Sequence, residues 1–331
     1  MLLLAAATTA VAQTDDWAWN HVSAKTKAIC TEVGQPNPPA ADRPSAAQAT
    51  ALKGCDSTTL YYGIGTSPDY EKARHCAFVE AAAKDAADNL FGGTTTLMQI
   101  YANGYGVTRN LNLATAYACR VDGAPAEIEG RVAHLQSLKT APDTFDYCDD
   151  ITSGYAMGHC ASLESEREAA KRDAQVDALA ATFPPAARPL YAAMKKSFDA
   201  FVNAHGDGEV DLSGTARGAL MIEEKDRVRD QFVKDLNRLA SGQWPTANAS
   251  NAKAADAALN VSYRKALAAA GSKSNLTTIK SEDIRAAQRL WLVWRDAYVR
   301  FAATAEPKVS QDAIVARLTR LRDAQLQTIR D

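Results

Sequence analysis

The stretch Ile284-Arg285-Ala286-Ala287-Gln288-Arg289-Leu290-Trp291-Leu292-Val293-Trp294-Arg295-Asp296-Ala297-Tyr298-Val299-Arg300-Phe301 decides the fold class. Ile284, Ala287, Trp291, Trp294, Tyr298 and Phe301 recur at intervals of three and four, which places them on one face of a helix. A half-buried strand would alternate at every second residue instead. The stripe reads as a core seam, with a ligand platform built on Trp291 and Trp294 as the alternative. Leu259, Tyr263, Leu267 and Ala270 form a matching stripe before it, and Ile314, Leu318 and Leu321 another after it. Three such stripes bury one another as a small helical bundle.

The same periodicity extends through most of the 331 residues, where alanine is abundant and β-branched runs are short, so an all-α fold is expected throughout. A formal net charge of −2 lacks the basic excess of a nucleic-acid binder. The one continuous apolar stretch, Met1 to Ala12, is shorter than the ~20 residues that span a bilayer. It ends in Ala10-Val11-Ala12, the small-x-small pattern of an export cleavage site, which predicts a signal peptide over 1–12 and a periplasmic or secreted protein.

Cysteine usage agrees with export. Cys30, Cys55, Cys76, Cys119, Cys148 and Cys160 are even in number and all fall in the first half, as a disulfide framework requires. Sequence leaves the connectivity open; pairing of neighbours predicts Cys30–Cys55, Cys76–Cys119 and Cys148–Cys160. Buried free thiols are the alternative. A zinc site lacks the closely spaced cysteine pairs it needs.

Residues 13–56 form an N-terminal extension, with a proline-rich loop over 34–50. Beyond it the chain repeats itself at an offset of 41 residues. Tyr62-Gly63-Ile64-Gly65, then Asp69 and Ala73, corresponds to Asn103-Gly104-Tyr105-Gly106, then Asn110 and Ala114. Glycines that adopt positive φ end one helix, Asp or Asn caps the next, and alanine permits close packing. The second copy, with Leu97-Met98-Gln99-Ile100-Tyr101-Ala102 before it, resembles the SEL-one-like repeats, relatives of the tetratricopeptide solenoids. That resemblance covers 57–138 and implies a surface for protein contacts, with Gly104, Gly106, Asn110 and Ala114 as structural residues.

A second resemblance lies downstream. Asp256, Leu259 and Tyr263, then Gln288, Trp291, Arg295 and Asp296, then Arg317 and Leu321, follow the order of three helical motifs in the lysozyme-inhibitor LprI-like family. Phe198-Asp199-Ala200-Phe201 mirrors Arg295-Asp296-Ala297-Tyr298, and Cys148 with Cys160 opens the earlier stretch. The chain is therefore similar to two divergent copies of that module, over 144–244 and 247–331. Gly242-Gln243-Trp244-Pro245 marks the break, since proline disfavours helix in its predecessor. The family usually carries a cysteine near the position of Tyr298, which is absent here. Arg295 and Asp296 read as a structural ion pair or a solvated face.

No catalytic constellation is legible. The five histidines are scattered without metal spacing, and Gly65-Thr66-Ser67-Pro68 fails the nucleophile-elbow pattern. His205-Gly206-Asp207-Gly208-Glu209-Val210-Asp211 places three carboxylates at alternate positions but lacks the order of an EF-hand loop, so a flexible acidic loop is expected there rather than a calcium site. No cofactor, no metal and no enzymatic activity are expected. The LprI-like resemblance implies a non-enzymatic protein that binds a lysozyme-type muramidase. An envelope scaffold that docks a partner protein on its repeats is the second reading.

Charge divides the chain unevenly. Residues 247–331 carry 14 Lys and Arg against 8 Asp and Glu, so the excess of acid lies in the first 246 residues. Lysozymes of the common animal type are basic, and electrostatic steering favours the acidic part as their docking face. The basic last stretch leaves contact with anionic cell-wall polymers open.

Overall fold

The computed structural model describes residues 17–83, 91–140 and 143–329, all of them helix, turn or loop with no strand among them. The expected signal segment over 1–12 lies outside the described residues. No described helix is long and apolar enough to cross a membrane. The chain divides into two compact units, with the boundary between Ser153 and Gly154.

The first unit holds α1 (Trp17–His21), α2 (Ala24–Val33), α3 (Ala46–Ala51), α4 (Ser57–Tyr62), α5 (Tyr70–Ala81), α6 (Gly93–Asn103), α7 (Leu111–Ala118) and α8 (Pro125–Ser137). The 41-residue repeat is physical. Gly63 and Gly104 end α4 and α6 at φ of 70° and 71°, and Gly65 and Gly106 follow at 72° and 70°. Asp69 and Asn110 then accept hydrogen bonds from the amides of Lys72 and Leu113, capping α5 and α7. Even the amide bonds that close the turns correspond, Asp69 to the Leu60 carbonyl and Asn110 to that of Tyr101. Ala73 and Ala114 are wholly buried, as close packing of the hairpins demands.

Two disulfides staple this unit, and their connectivity corrects the neighbour pairing. Cys30 joins Cys119, and Cys55 joins Cys76, so neither Cys30–Cys55 nor Cys76–Cys119 forms. The cause is tertiary: α2 packs beside α7, which carries Cys30 to a partner 89 residues away. Cys148 and Cys160 are disulfide-bonded as well, and no described cysteine is free.

The second unit holds six long helices: α9 (Gly154–Thr182), α10 (Arg188–Gly208), α11 (Arg217–Ala240), α12 (Ala249–Ala270), α13 (Ser281–Ala305) and α14 (Gln311–Thr328). The predicted seam is real, since Ile284, Ala287, Trp291, Trp294, Tyr298 and Phe301 are all buried on α13. Their partners differ from expectation. The stretches 144–244 and 247–331 do not close as separate bundles; one continuous core runs from Val176 to Ile329. Within it α9 packs most closely on α11, α12 on α14, and the two middle helices α10 and α13 on each other. Phe201 stacks on Trp294 at a ring separation of 5.5 Å, and Phe198 lies 5.2 Å from the same indole. Each half pairs its first helix with its third, and the middle helices seal the halves together. The break at Gly242 is local, because Trp244 in the linker is itself buried against Tyr298.

Candidate functional site

Where α10 ends, its last turn carries His205 and Glu209 one helical turn apart, so both side chains project from the same face. His205 is flanked by two carboxylates: Nδ1 lies 2.6 Å from Glu209 Oε2 and Nε2 lies 2.5 Å from Glu224 Oε1 on α11. Arg322 of α14 closes the other side of Glu209 with two parallel bonds, Nη1 to Oε2 at 2.7 Å and Nη2 to Oε1 at 2.6 Å. Its Nε donates to Gln288 Oε1 at 2.9 Å, and its guanidinium sits 5.3 Å from the Phe201 ring centroid. Arg227 donates twice to Glu224 from the rim.

The electrostatics follow from that geometry. Burial pushes the His205 pKa down, but the Glu209 and Glu224 carboxylates outweigh it and hold it above the ordinary histidine value. Burial raises Glu209, whereas Arg322 and His205 lower it further and leave it below the usual carboxylate range. Glu224 is opposed by desolvation yet drawn down to about 2 by His205 and Arg227. The cluster is thus an ion network of His205, Glu209, Glu224, Arg322 and Arg227. Both ring nitrogens of His205 donate to carboxylates, so the ring offers no open position for proton transfer to a substrate.

This network replaces the flexible acidic loop expected over 205–211. The three alternate carboxylates do not converge on a common point. Asp207 pairs with Lys225 at 2.6 Å, Glu209 with Arg322, and Asp211 accepts from the Thr278 and Ser213 amides at 3.0 Å each. Among the described residues one grouping has metal-ligand spacing, Cys55, Cys76 and Glu80, and two of its members are joined to each other as a disulfide.

Four members of the network, His205, Glu209, Glu224 and Arg227, line a cleft of about 610 Å³. Asp211, the loop Ser274–Thr277, and Leu220 and Glu223 of α11 line it as well. Leu276 is 93% exposed and Leu220 43% exposed at its rim, and among the described residues no cation pairs with Glu223. Three residues, Glu224, Arg227 and Thr328, also line an inner cavity of about 260 Å³ between α10, α11, α13 and α14.

The residues singled out from sequence fall mostly beside this cleft rather than in it. Gln288 bonds the buried Arg322, Trp291 and Leu321 line the inner cavity, and Arg317 pairs with Asp235 while lying 5.9 Å from the Trp244 ring. Leu259 is buried and Tyr263 packs at the core edge, while exposed Asp256 accepts from Asn260. Arg295 donates to Asp296 at 2.8 and 2.9 Å and covers Trp291 at 5.2 Å, which makes it an ion pair that roofs the indole. Gly104, Gly106, Asn110 and Ala114 belong to the first unit and shape its turns. Sequence reading missed His205, Glu209, Glu224 and Arg322 as a group. One signal was available: His and Glu four apart at a helix end.

Among curated proteins and among solved structures no match was found. The family comparison does give one: residues 246–326, which take in α12, α13 and most of α14, match the family described as Lysozyme inhibitor LprI. The repeat region 57–138 lies outside that match. The last three helices of the second unit are therefore similar to a lysozyme-inhibitor domain, in the span that supplies Gln288 and Arg322 to the network and Asn275 to Ile279 to the cleft.

Proposed function

We propose that this is an exported, non-enzymatic protein-binding protein of the lysozyme-inhibitor kind, and that the cleft above His205 receives a cationic side chain of its target. The match of residues 246–326 carries the reading. Disulfides persist in oxidising compartments, which supports a periplasmic or secreted location. The cleft supplies complementary chemistry: an apolar rim of Leu220 and Leu276, and the carboxylate of Glu223, with which no cation pairs among the described residues. Apolar stems of lysine or arginine pack on such a rim while their charge meets the acid.

Both sides of the contact are testable. Peptidoglycan hydrolysis by a basic lysozyme is measured with excess oxidised protein, using the wild type, Glu223→Lys and Leu276→Asp. Inhibition by the wild type and its loss in both variants is the expected pattern. Undiminished hydrolysis at excess wild-type protein would remove the inhibitor reading and favour the scaffold, which docks a partner on the repeats of the first unit.

A further inference from the structure

The loop over 271–280 joins α12 to α13 and carries Leu276 at its middle. Leu276 is 93% exposed, more than any other large apolar side chain among the described residues. An exposed leucine is ordinary in itself. Here, however, the polar side chains around it are spent in holding the backbone that presents it. Asn275 Nδ2 donates to the carbonyls of Ala270 and Ile279 at 3.2 and 3.0 Å, and its Oδ1 accepts from the Thr277 amide and hydroxyl at 2.9 and 2.8 Å. Asp211, from the segment between α10 and α11, accepts from the Thr278 amide at 3.0 Å, and Thr278 Oγ1 accepts from the Leu212 amide at 2.7 Å. Two segments 66 residues apart thus brace each other, and Leu276 projects from the braced frame into solvent.

We propose that Leu276 is the anchor of the contact with the target: it seats in an apolar depression of a protein surface that has a cation at its edge, and Asn275 and Asp211 are positioning residues that keep the loop in its binding shape. This rests on the protein-binding reading above and adds the residue that enters the partner. A side chain exposed on nearly all sides is buried only by a surface that surrounds it, and a loop fixed beforehand loses little freedom on docking. Full burial of a leucine is equivalent to about ten- to hundredfold in affinity. The charge around Leu276 selects a protein over a lipid surface. Asp211 and Glu223 line the same cleft, and the Thr278 and Ser213 amides hold Asp211 below the usual carboxylate range. The anchor is therefore set among anions, which an acidic membrane repels and a basic protein attracts.

Calorimetry of the full oxidised chain with a basic lysozyme tests this, using the wild type, Leu276→Ala, Asn275→Ala and the double variant. Leu276→Ala removes contact area without adding a charge, and at so exposed a position it leaves the core untouched. It is expected to weaken binding about ten- to hundredfold. Asn275→Ala is expected to cost about two- to tenfold, and nothing further once Leu276 is alanine, since the loop's shape matters only while the anchor is present. An equal penalty in both backgrounds would overturn the positioning role. Hydrogen exchange of the free wild type supplies a second readout: the amides of Thr277, Thr278 and Leu212 are expected to be protected, and exchange at the rate of an unstructured chain would overturn the fixed loop. Lysozyme binding that Leu276→Ala leaves unchanged overturns the proposal and leaves the inhibitor reading standing, whereas no binding by the wild type removes both. Binding of the wild type to phosphatidylglycerol vesicles that is lost in Leu276→Ala would overturn it in favour of a lipid surface.

Discussion

Arg322 and Glu209 lie 113 residues apart in sequence and form two parallel hydrogen bonds of 2.6 and 2.7 Å with both side chains wholly out of solvent. The pair ties the last helix to the end of α10, and His205 and Gln288 satisfy the atoms that the pair leaves over. Two charges buried in this way offset their desolvation only when the surrounding hydrogen bonds are complete.

Breaking the pair from one side is therefore expected to cost about 3–5 kcal/mol, because the surviving charge stays buried and alone. Denaturant unfolding of Arg322→Met and Glu209→Gln measures this. The double variant Arg322→Met/Glu209→Met is expected to cost less than the sum of the single changes. Additive losses would show that the two residues act independently.

The pH dependence has a definite sign. The raised pKa of His205 contributes stability that is fully present below its unfolded value of 6.5 and is lost as pH rises through the folded value. Glu209 and Glu224 are depressed, so their contribution is present above the unfolded value of 4.5 and is lost as pH falls, for Glu224 towards about 2. For this network stability peaks between those unfolded values. His205→Gln is expected to flatten the alkaline side of a midpoint-against-pH curve, while the wild type keeps its slope.

Trp291→Ala removes a side chain that is 1% exposed at the centre of the second unit. A loss of about 3–5 kcal/mol is expected from the cavity it leaves. Near-ultraviolet circular dichroism and denaturant midpoints would check this, with the exposed Leu292→Ala as a control expected to change stability by less than about 1 kcal/mol.

The two described disulfides of the first unit should differ in worth. Cys30–Cys119 closes 89 residues and Cys55–Cys76 closes 21. Chain entropy in the unfolded state then makes Cys30→Ser/Cys119→Ser more costly than Cys55→Ser/Cys76→Ser by about 1 kcal/mol. Equal losses on thermal unfolding would refer the stabilisation to the folded state instead.

Gly93 sits where α6 crosses α5, and a Cβ there would overlap the carbonyl oxygen of Ala77. Gly93→Ala is expected to destabilise the first unit by roughly 1–3 kcal/mol through overpacking. Gly65→Ala meets no atom and carries only the strain of its positive φ, so a smaller loss is expected in the same unfolding experiment.

Local periodicity was enough to identify the helices. The three-and-four spacing on α13, the capping residues Asp69 and Asn110, and the paired glycine turns are encoded within a few residues of where they act. The same local signals gave the 41-residue repeat and the interruption of helix between α11 and α12 at Gly242 to Pro245. Sequence also read Trp291 and Trp294 as part of a core seam, and both are buried on α13, since that reading depends on neighbours one turn away.

Tertiary structure decided the rest. The partners of Cys30 and Cys55 depend on which helices lie side by side, and the acidic run after His205 became a buried network only because Arg322 and Glu224 arrive from other helices. The merger of two expected bundles into one core has the same origin: a stripe shows that a helix face must be covered, but not which helix covers it. Apolar burial is non-directional, and one hydrophobic face accepts another wherever the chain can bring them together.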